Sequence, residues 1–366
     1  MIIFKHQVLD ISFHPHGNLI ASGLINGSVY LHTYSNEFKI QIEGREDKVN
    51  KQLFKNNFHK ESCRGVQFSV DGNLLFTASV DKSLSTIEIE NGKTSASFKN
   101  AHSDAINSLK VLTENLVATG DDSGTVKIWD IRQRKVSIKY KENVDFISDF
   151  DYVDSKNALL ATSGDGCLSV FDLRKPNKPL GLSENQDDEL LSVAVCKDNK
   201  KVIVGQQSGN ISVFTWGQFL DSTDRFPGHP SSIDTIKKLT EDTLITGSSD
   251  GIVRVISILP NKFVSVLGEH EENFPVEKVD ISCDKKVCAS CSHENTVRFW
   301  SLESEDEVEN TVQIEEEKVQ GDNEDSNSEE EVDDQTEKKR KRRRKLKFQV
   351  KTNKKKIAND FFNDID

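Results

Sequence analysis

The chain has 366 residues, of which 30% are charged and 35% apolar, and its formal net charge is −12. No window approaches the roughly 18 uncharged apolar residues of a membrane span, and the opening MIIFKHQVLD lacks the apolar stretch and cleavage site of a signal peptide. Six cysteines, most inside apolar segments, point to reduced thiols in the cytosol or nucleus rather than to a disulfide framework.

From the N-terminus, Ile2-Ile-Phe4 is a short apolar stretch, and behind it begins a text that recurs. The copies read ASGLINGSVYLHT, TASVDKSLSTIEI, ATGDDSGTVKIWD, ATSGDGCLSVFDL, VGQQSGNISVFTW, TGSSDGIVRVISI and ASCSHENTVRFWS. Aligned on the polar turn, their anchors are Gly27, Lys82, Gly124, Gly166, Gly209, Gly251 and Asn295, spaced by 55, 42, 42, 43, 42 and 44 residues. Each unit offers an apolar strand such as Val8–Phe13 or Ile106–Leu109. A strand of small and β-branched residues follows, such as Leu116–Thr119, then the turn, then an alternating strand such as Val126–Trp129. A fourth, more polar strand fits in what remains. Four short strands in about 40–45 residues make a propeller blade. The expected fold is therefore all-β: a seven-bladed propeller over residues 1–302, with nothing left for another domain. A ring must close, because an open edge strand invites aggregation. Ile2-Ile-Phe4 is placed to supply the outer strand of the blade built from residues 276–301.

The units resemble WD repeats. Trp129-Asp130 is the one literal copy of the name-giving pair, softened elsewhere to Phe171-Asp172, Trp300-Ser301 and Ile256-Ser257. The resemblance implies a set of His, Ser or Thr, turn Asp and Trp that hydrogen-bond within a blade. His102 shares a unit with Trp129, but Ser123 stands at its turn. His229 shares a unit with Asp250, but Ile256 replaces the aromatic. No unit is expected to hold the complete set.

Three constellations invite a chemical reading. Asp121-Asp122 look like paired carboxylates, yet they occupy a turn where Asp belongs for conformational reasons. Ser163–Gly166 is a turn without the Lys-Ser/Thr ending of a phosphate-binding loop. Cys283, Cys288, Cys291 and His293 have the residue types of a zinc site. The repeat alignment, however, sets Cys288 level with Ile20 and Val117 and Cys291 level with Gly23 and Gly120. On one strand at an odd offset their side chains face opposite ways, as core cysteines do. No catalytic, cofactor-binding or metal-binding residue is expected. The body shows no basic stripe interleaved with aromatics, and its charges read as solvated faces.

Between the anchors, CRGVQFSVDG (63–72), AHSDAINSL (101–109), LVATGDDSG (116–124), ATSGDGCL (161–168), TWGQFLDSTDRF (215–226) and GSSDGIVRVISILPNKFV (247–264) resemble the WD repeat-containing protein 55 family. So does an ending with a basic cluster and a paired-Phe motif. The resemblance implies a nucleolar, non-enzymatic scaffold in ribosome biogenesis, supporting ribosomal RNA synthesis and pre-rRNA processing through pre-ribosomal or other nuclear proteins. An alternative comes from Trp129, Asp130 and Arg132, which resemble the Trp-Asp-x-Arg box of substrate receptors for cullin-4 ubiquitin ligases. Val170–Arg174 is a softened echo. There the Arg would face the ligase adaptor.

The tail concentrates charge. Residues 303–337 hold 17 acids and one base, and residues 338–366 hold 13 bases and three acids, which leaves −6 for residues 1–302. The acidic segment has too few apolar residues to offset chain entropy and is read as a disordered linker. Lys338, Lys339, Arg340, Lys341, Arg342, Arg343, Arg344 and Lys345 are eight cations without a break, which read as a nuclear import signal for an import receptor and as a tether for RNA. Ser326 and Ser328, each with an acid three residues on, suit an acid-directed kinase. Phe361 and Phe362 read as a docking motif. The expected state is a monomer in the nucleus and nucleolus, with no membrane partner.

Overall fold

Seven four-stranded antiparallel sheets follow one another in a computed structural model that describes residues 1–35, 50–176, 178–271 and 274–302. Blade 1 runs through Val8–Phe13, Leu19–Leu24, Ser28–Thr33 and Gln52–Asn57, and blade 2 through Cys63–Phe68, Leu74–Ser79, Leu84–Glu88 and Thr94–Phe98. Blade 3 comprises Ile106–Val111, Leu116–Asp121, Val126–Asp130 and Lys135–Tyr140. Blade 4 comprises Ile147–Val153, Ala158–Ser163, Leu168–Asp172 and the short Gly181–Leu182. Blade 5 uses Leu190–Cys196, Lys201–Gln206, Ile211–Thr215 and Asp224–Phe226, and blade 6 uses Ile233–Lys238, Thr243–Ser248, Ile252–Ser257 and Lys262–Glu269. Blade 7 takes three strands from Val276–Ile281, Val287–Ser292 and Thr296–Ser301 and its fourth from Ile2–Ile3. The fold is a seven-bladed β-propeller closed by its own N-terminus, with Ile2 opposite Val297 and Ile3 opposite Thr296.

Why the turn anchors recur is visible in the backbone. All seven, including Lys82 and Asn295, have positive φ, between +61° and +83°. Glycine reaches that region without a Cβ penalty, and other residues do so at a cost of about 1–2 kcal/mol. The turn therefore selects residue type more strictly than any strand position does. At Gly124 the space is closed as well, since a Cβ would stand 2.5 Å from the carbonyl oxygen of Asn143.

The apolar faces of adjacent sheets stack to form the core. Leu160 and Val170 of blade 4 pack with Val193, Val195 and Phe214 of blade 5, and Ile2, Val287 and Val297 of blade 7 pack with Val8 and Ile20 of blade 1. Burying each such side chain contributes about 1.5–3 kcal/mol. Every inner strand also shifts register two residues after its start, for example between Ile106 and Ser108 and between Ile147 and Asp149. A bulge of this kind adds local twist, which lets neighbouring sheets fan around an axis. Cys288 joins the core between blades 6 and 7, whereas Cys291 joins the one between blades 7 and 1. The two thiols thus face opposite sides of one strand, and burial raises both well above the usual thiol range.

Candidate functional site

The inner strands surround a channel of about 520 Å³. Its wall is stitched from blade to blade by side chains that bond the next backbone. Asp10 accepts from the N–H of Val66 at 2.6 Å, Gln67 from Val111 at 2.7 Å, Asp151 from Val195 at 2.9 Å and Asp280 from Phe13 at 2.7 Å. Ser192 donates to the carbonyl of Ile233 at 2.8 Å, and Thr235 accepts from the N–H of Val279 at 3.3 Å. Three lysines bridge the wall: Lys110 to Asp151 at 2.9 Å, Lys237 to Asp280 at 2.6 Å and Lys278 to Asp149 at 3.3 Å. Lys278 is raised above the ordinary lysine range, because Asp149 and Asp10 outweigh the burial that opposes its charge. Burial, helped by the charge of Asp280, lifts Asp10 to about 7 against the opposing pull of Lys278 and two backbone N–H groups. These charges are occupied in holding the ring.

On one rim, where second strands turn into third strands, blade 3 departs from expectation. The complete hydrogen-bonded set is present, with Asp121 rather than position 123 as its acid. Trp129 Nε1 donates to Thr119 Oγ1 at 2.8 Å, and His102 Nε2 lies 2.7 Å from the same oxygen. Since indole only donates, the threonine hydroxyl donates to Nε2. His102 Nδ1–H then donates to Asp121 at 2.8 Å. Asp121 also accepts from the N–H groups of Ser123 and Thr125, at 3.0 and 2.8 Å. These bonds hold Asp121 down to about 2 despite its burial, and burial lowers His102. Ser123 contributes its hydroxyl to the same carboxylate at 2.8 Å. Asp122 accepts from Asn107 instead, so the adjacent acids serve different partners. Blade 7 repeats the wiring with His270, Ser290 and Trp300, and Glu294 replaces the aspartate at 2.7 Å from His270 Nδ1. Alignment on the turn conceals both sets, because the acid sits at the strand end in one blade and is a glutamate in the other.

The opposite rim carries the corners between third and fourth strands. Trp129 is buried with its indole committed to Thr119, and at this rim Asp130 lies beneath the exposed side chain of Arg132, which is 68% accessible and 3.4 Å from it. Blade 4 repeats this with Arg174, 62% accessible and bound through two nitrogens to Asp172 at 2.8 and 2.9 Å. That grip holds Asp172 down to about 2. The echo that looked weaker in sequence is the better-braced arginine. Around these two corners the fold gathers cations that are scattered in the chain. Segments 131–135 and 173–179 hold six bases and no acid. Across the same sector, the other rim is acidic: segments 141–146, 164–167 and 183–189 hold seven acids and one base.

Among the described residues, no group of three or more His, Cys, Asp and Glu side chains could hold a metal ion, and no helix is long and apolar enough to cross a membrane. Ser326, Ser328, the run Lys338–Lys345 and the pair Phe361-Phe362 lie outside the described residues.

Comparison with known proteins matches the whole ring. A family model described as WDR55 covers residues 1–304. WD repeat-containing protein 55 of Arabidopsis thaliana is 42% identical over 298 residues, 81% of this chain and 81% of the relative. The human protein of the same name is 36% identical over 82% of this chain and 76% of its own length. WD repeat-containing protein JIP5 of Coprinopsis cinerea is 40% identical over 81% of this chain and 72% of its own. With seven blades, their turn anchors and this likeness in agreement, the chain belongs to the WDR55 family of WD-repeat scaffold proteins, and its propeller is a protein–protein interaction domain.

Proposed function

We propose that the protein is a non-enzymatic scaffold of the nucleolus that supports ribosomal RNA synthesis and pre-rRNA processing by holding pre-ribosomal proteins on its propeller. The observation that carries this is the employment of the buried polar residues. Channel acids and lysines stitch the blades, and rim histidines brace the turns, so the ring offers faces for docking rather than a convergent reactive centre. The run Lys338–Lys345 brings the ring to the nucleus through an import receptor and adds a salt-sensitive hold on RNA. Sedimentation of nuclear extract tests the proposal. The chain should travel with pre-60S or 90S particles, and its depletion should accumulate rRNA precursors. Normal precursor levels with the chain confined to light fractions would reject it.

A second reading, as a substrate receptor of a cullin-4 ubiquitin ligase, draws support from the two exposed arginines braced on neighbouring corners, Arg132 and Arg174. It expects the ligase adaptor to co-purify with the wild-type chain and to be lost with Arg132→Ala. Adaptor binding unchanged in that variant would count against it.

A further inference from the structure

We infer that the corner face of blades 3 to 5 is a phosphate-binding surface for single-stranded RNA, separate from the basic tail. This deepens the proposed nucleolar role and rests on it for the source of the RNA. Three observations carry it. In blade 3 the corner exposes Arg132, Arg134 and Lys135, and in blade 4 it exposes Arg174, Lys175 and Lys178. Among the described residues, only Arg132 and Arg174 of these six form an ion pair with an acid, and in each case that acid lies beneath the corner and leaves the guanidinium accessible.

These corners are neighbours on one surface. Leu173 of blade 4 packs in one apolar cluster with Leu116 and Ile138 of blade 3, which sets Arg174 beside the blade 3 edge. The N–H of Leu173 bonds the carbonyl of Asn157 at 3.1 Å, so Lys156 lies next to the blade 4 corner. Lys156 bonds the carbonyl of Asn199 at 2.6 Å, and the carbonyl of Lys200 accepts from the N–H of Trp216 at 2.8 Å. The belt therefore continues onto blade 5. Lys156 is pinned over the Trp216 ring, 3.7 Å from its centroid, which fixes one cation of the belt. Glu114 and Asp154 are the exposed acids on the adjoining turns of blades 3 and 4, and Asp198 and Asp221 those on blade 5, where Asp198 lies 3.7 Å from Lys200; these four are fewer than the cations they face.

The third observation is polarity. The opposite rim of the same sector carries seven acids and one base, so a polyanion approaching these blades is steered to the corner face. A flexible phosphate backbone suits this surface better than a duplex does. The cations follow a curved series of corners, and among the described residues no helix or ribbon projects to enter a groove.

The test uses the full chain with all 13 lysines and arginines of residues 338–366 changed to Gln, which silences the tail, and an unstructured RNA oligonucleotide titrated at several salt concentrations. That protein should still bind and should shift its tryptophan fluorescence, and Trp216→Phe should abolish the shift. Adding Arg134→Glu, Lys175→Glu and Lys178→Glu should weaken binding by about 100-fold at low salt and flatten the log–log salt slope by about 2, close to 0.7 per lost contact. All three side chains are exposed, so an unchanged melting temperature confirms that the fold is kept. Arg132 and Arg174 remain native, so adaptor capture reports separately on the ligase reading. Loss of all RNA binding on tail neutralisation, or an unchanged slope after the three reversals, overturns the inference. So does equal competition by polyglutamate, which would mark a surface for acidic proteins. Co-sedimentation with pre-ribosomal particles is measured separately, so failure here leaves the scaffold role to stand or fall by itself.

Discussion

Blade 3 and blade 6 each bury a histidine, His102 or His229, against a threonine of the second strand, Thr119 or Thr246. In blade 3 the acid at the strand end takes the histidine, and a tryptophan on the third strand completes the chain of bonds. In blade 6 the third strand carries Ile256 and the fully buried Arg254. Arg254 claims the turn acid, Asp250, through both terminal nitrogens at 3.0 and 2.5 Å. His229 Nδ1 is left buried without a partner, and burial with the nearby Arg254 lowers its pKa to about 4. One arginine thus redirects the whole set. A blade keeps its turn by either route, but blade 3 shares one carboxylate among uncharged donors, whereas blade 6 pairs its carboxylate with a buried guanidinium.

The largest test of that contrast removes each acid. Asp121→Ala and Asp250→Ala should both cost about 3–5 kcal/mol in urea unfolding, since each strands buried donors. Their rescues should differ. Asp250→Ala with Arg254→Met removes both members of the clasp and should return to within about 1–2 kcal/mol of wild type. Asp121→Ala with His102→Leu should recover little, because the N–H groups of Ser123 and Thr125 still lack their acceptor. Equal rescue in both blades would erase the distinction. Next, Thr119→Val strands both Trp129 Nε1–H and His102 Nε2, at about 2–3 kcal/mol, whereas Thr246→Val strands one nitrogen and should cost about 1 kcal/mol.

The pH dependence sharpens it further. His229 has its folded pKa lowered to about 4, below an unfolded value near 6.5. Its neutral burial costs nothing above about pH 6.5, and stability is lost as pH falls from there toward 4. Between pH 7 and 5 this loss should reach about 2 kcal/mol. His229→Phe should remove it, measured as the difference from wild type at each pH so that groups such as Asp10 cancel. Smallest of all, Trp129→Phe keeps the apolar packing on Phe98 and gives up one hydrogen bond, for about 1 kcal/mol.

The ring was legible because a positive-φ turn admits few residues. Gly27, Gly124, Gly166, Gly209 and Gly251 mark it directly, and Lys82 and Asn295 could be placed by spacing. Cys291 was legible for a different reason, close packing: the repeat sets it level with Gly120, at the point where the next blade closes in. The bonding set of blade 3 is hidden in the sequence because its acid, Asp121, ends the second strand instead of occupying the turn. Clustering of the basic corners was not legible as a stripe, since Arg132 and Arg174 stand 42 residues apart. Reading one turn across all repeats, corner against corner, is the signal that would have found them. Which blade faces come together depends on ring closure, and that lies beyond any local pattern.

Closure by Ile2–Ile3 also has a consequence for synthesis. The partner of Ile2 is Val297, so this strand, once made, waits for a partner 295 positions further along the chain. At about 5–20 residues per second, that delay is roughly 15–60 s on the ribosome. Throughout it, six blades can form in order while the seam stays unlatched, with the edges meant for blade 7 presented to whatever is near. A nascent-chain chaperone that holds the first few residues would therefore control when the ring locks, without touching any other blade.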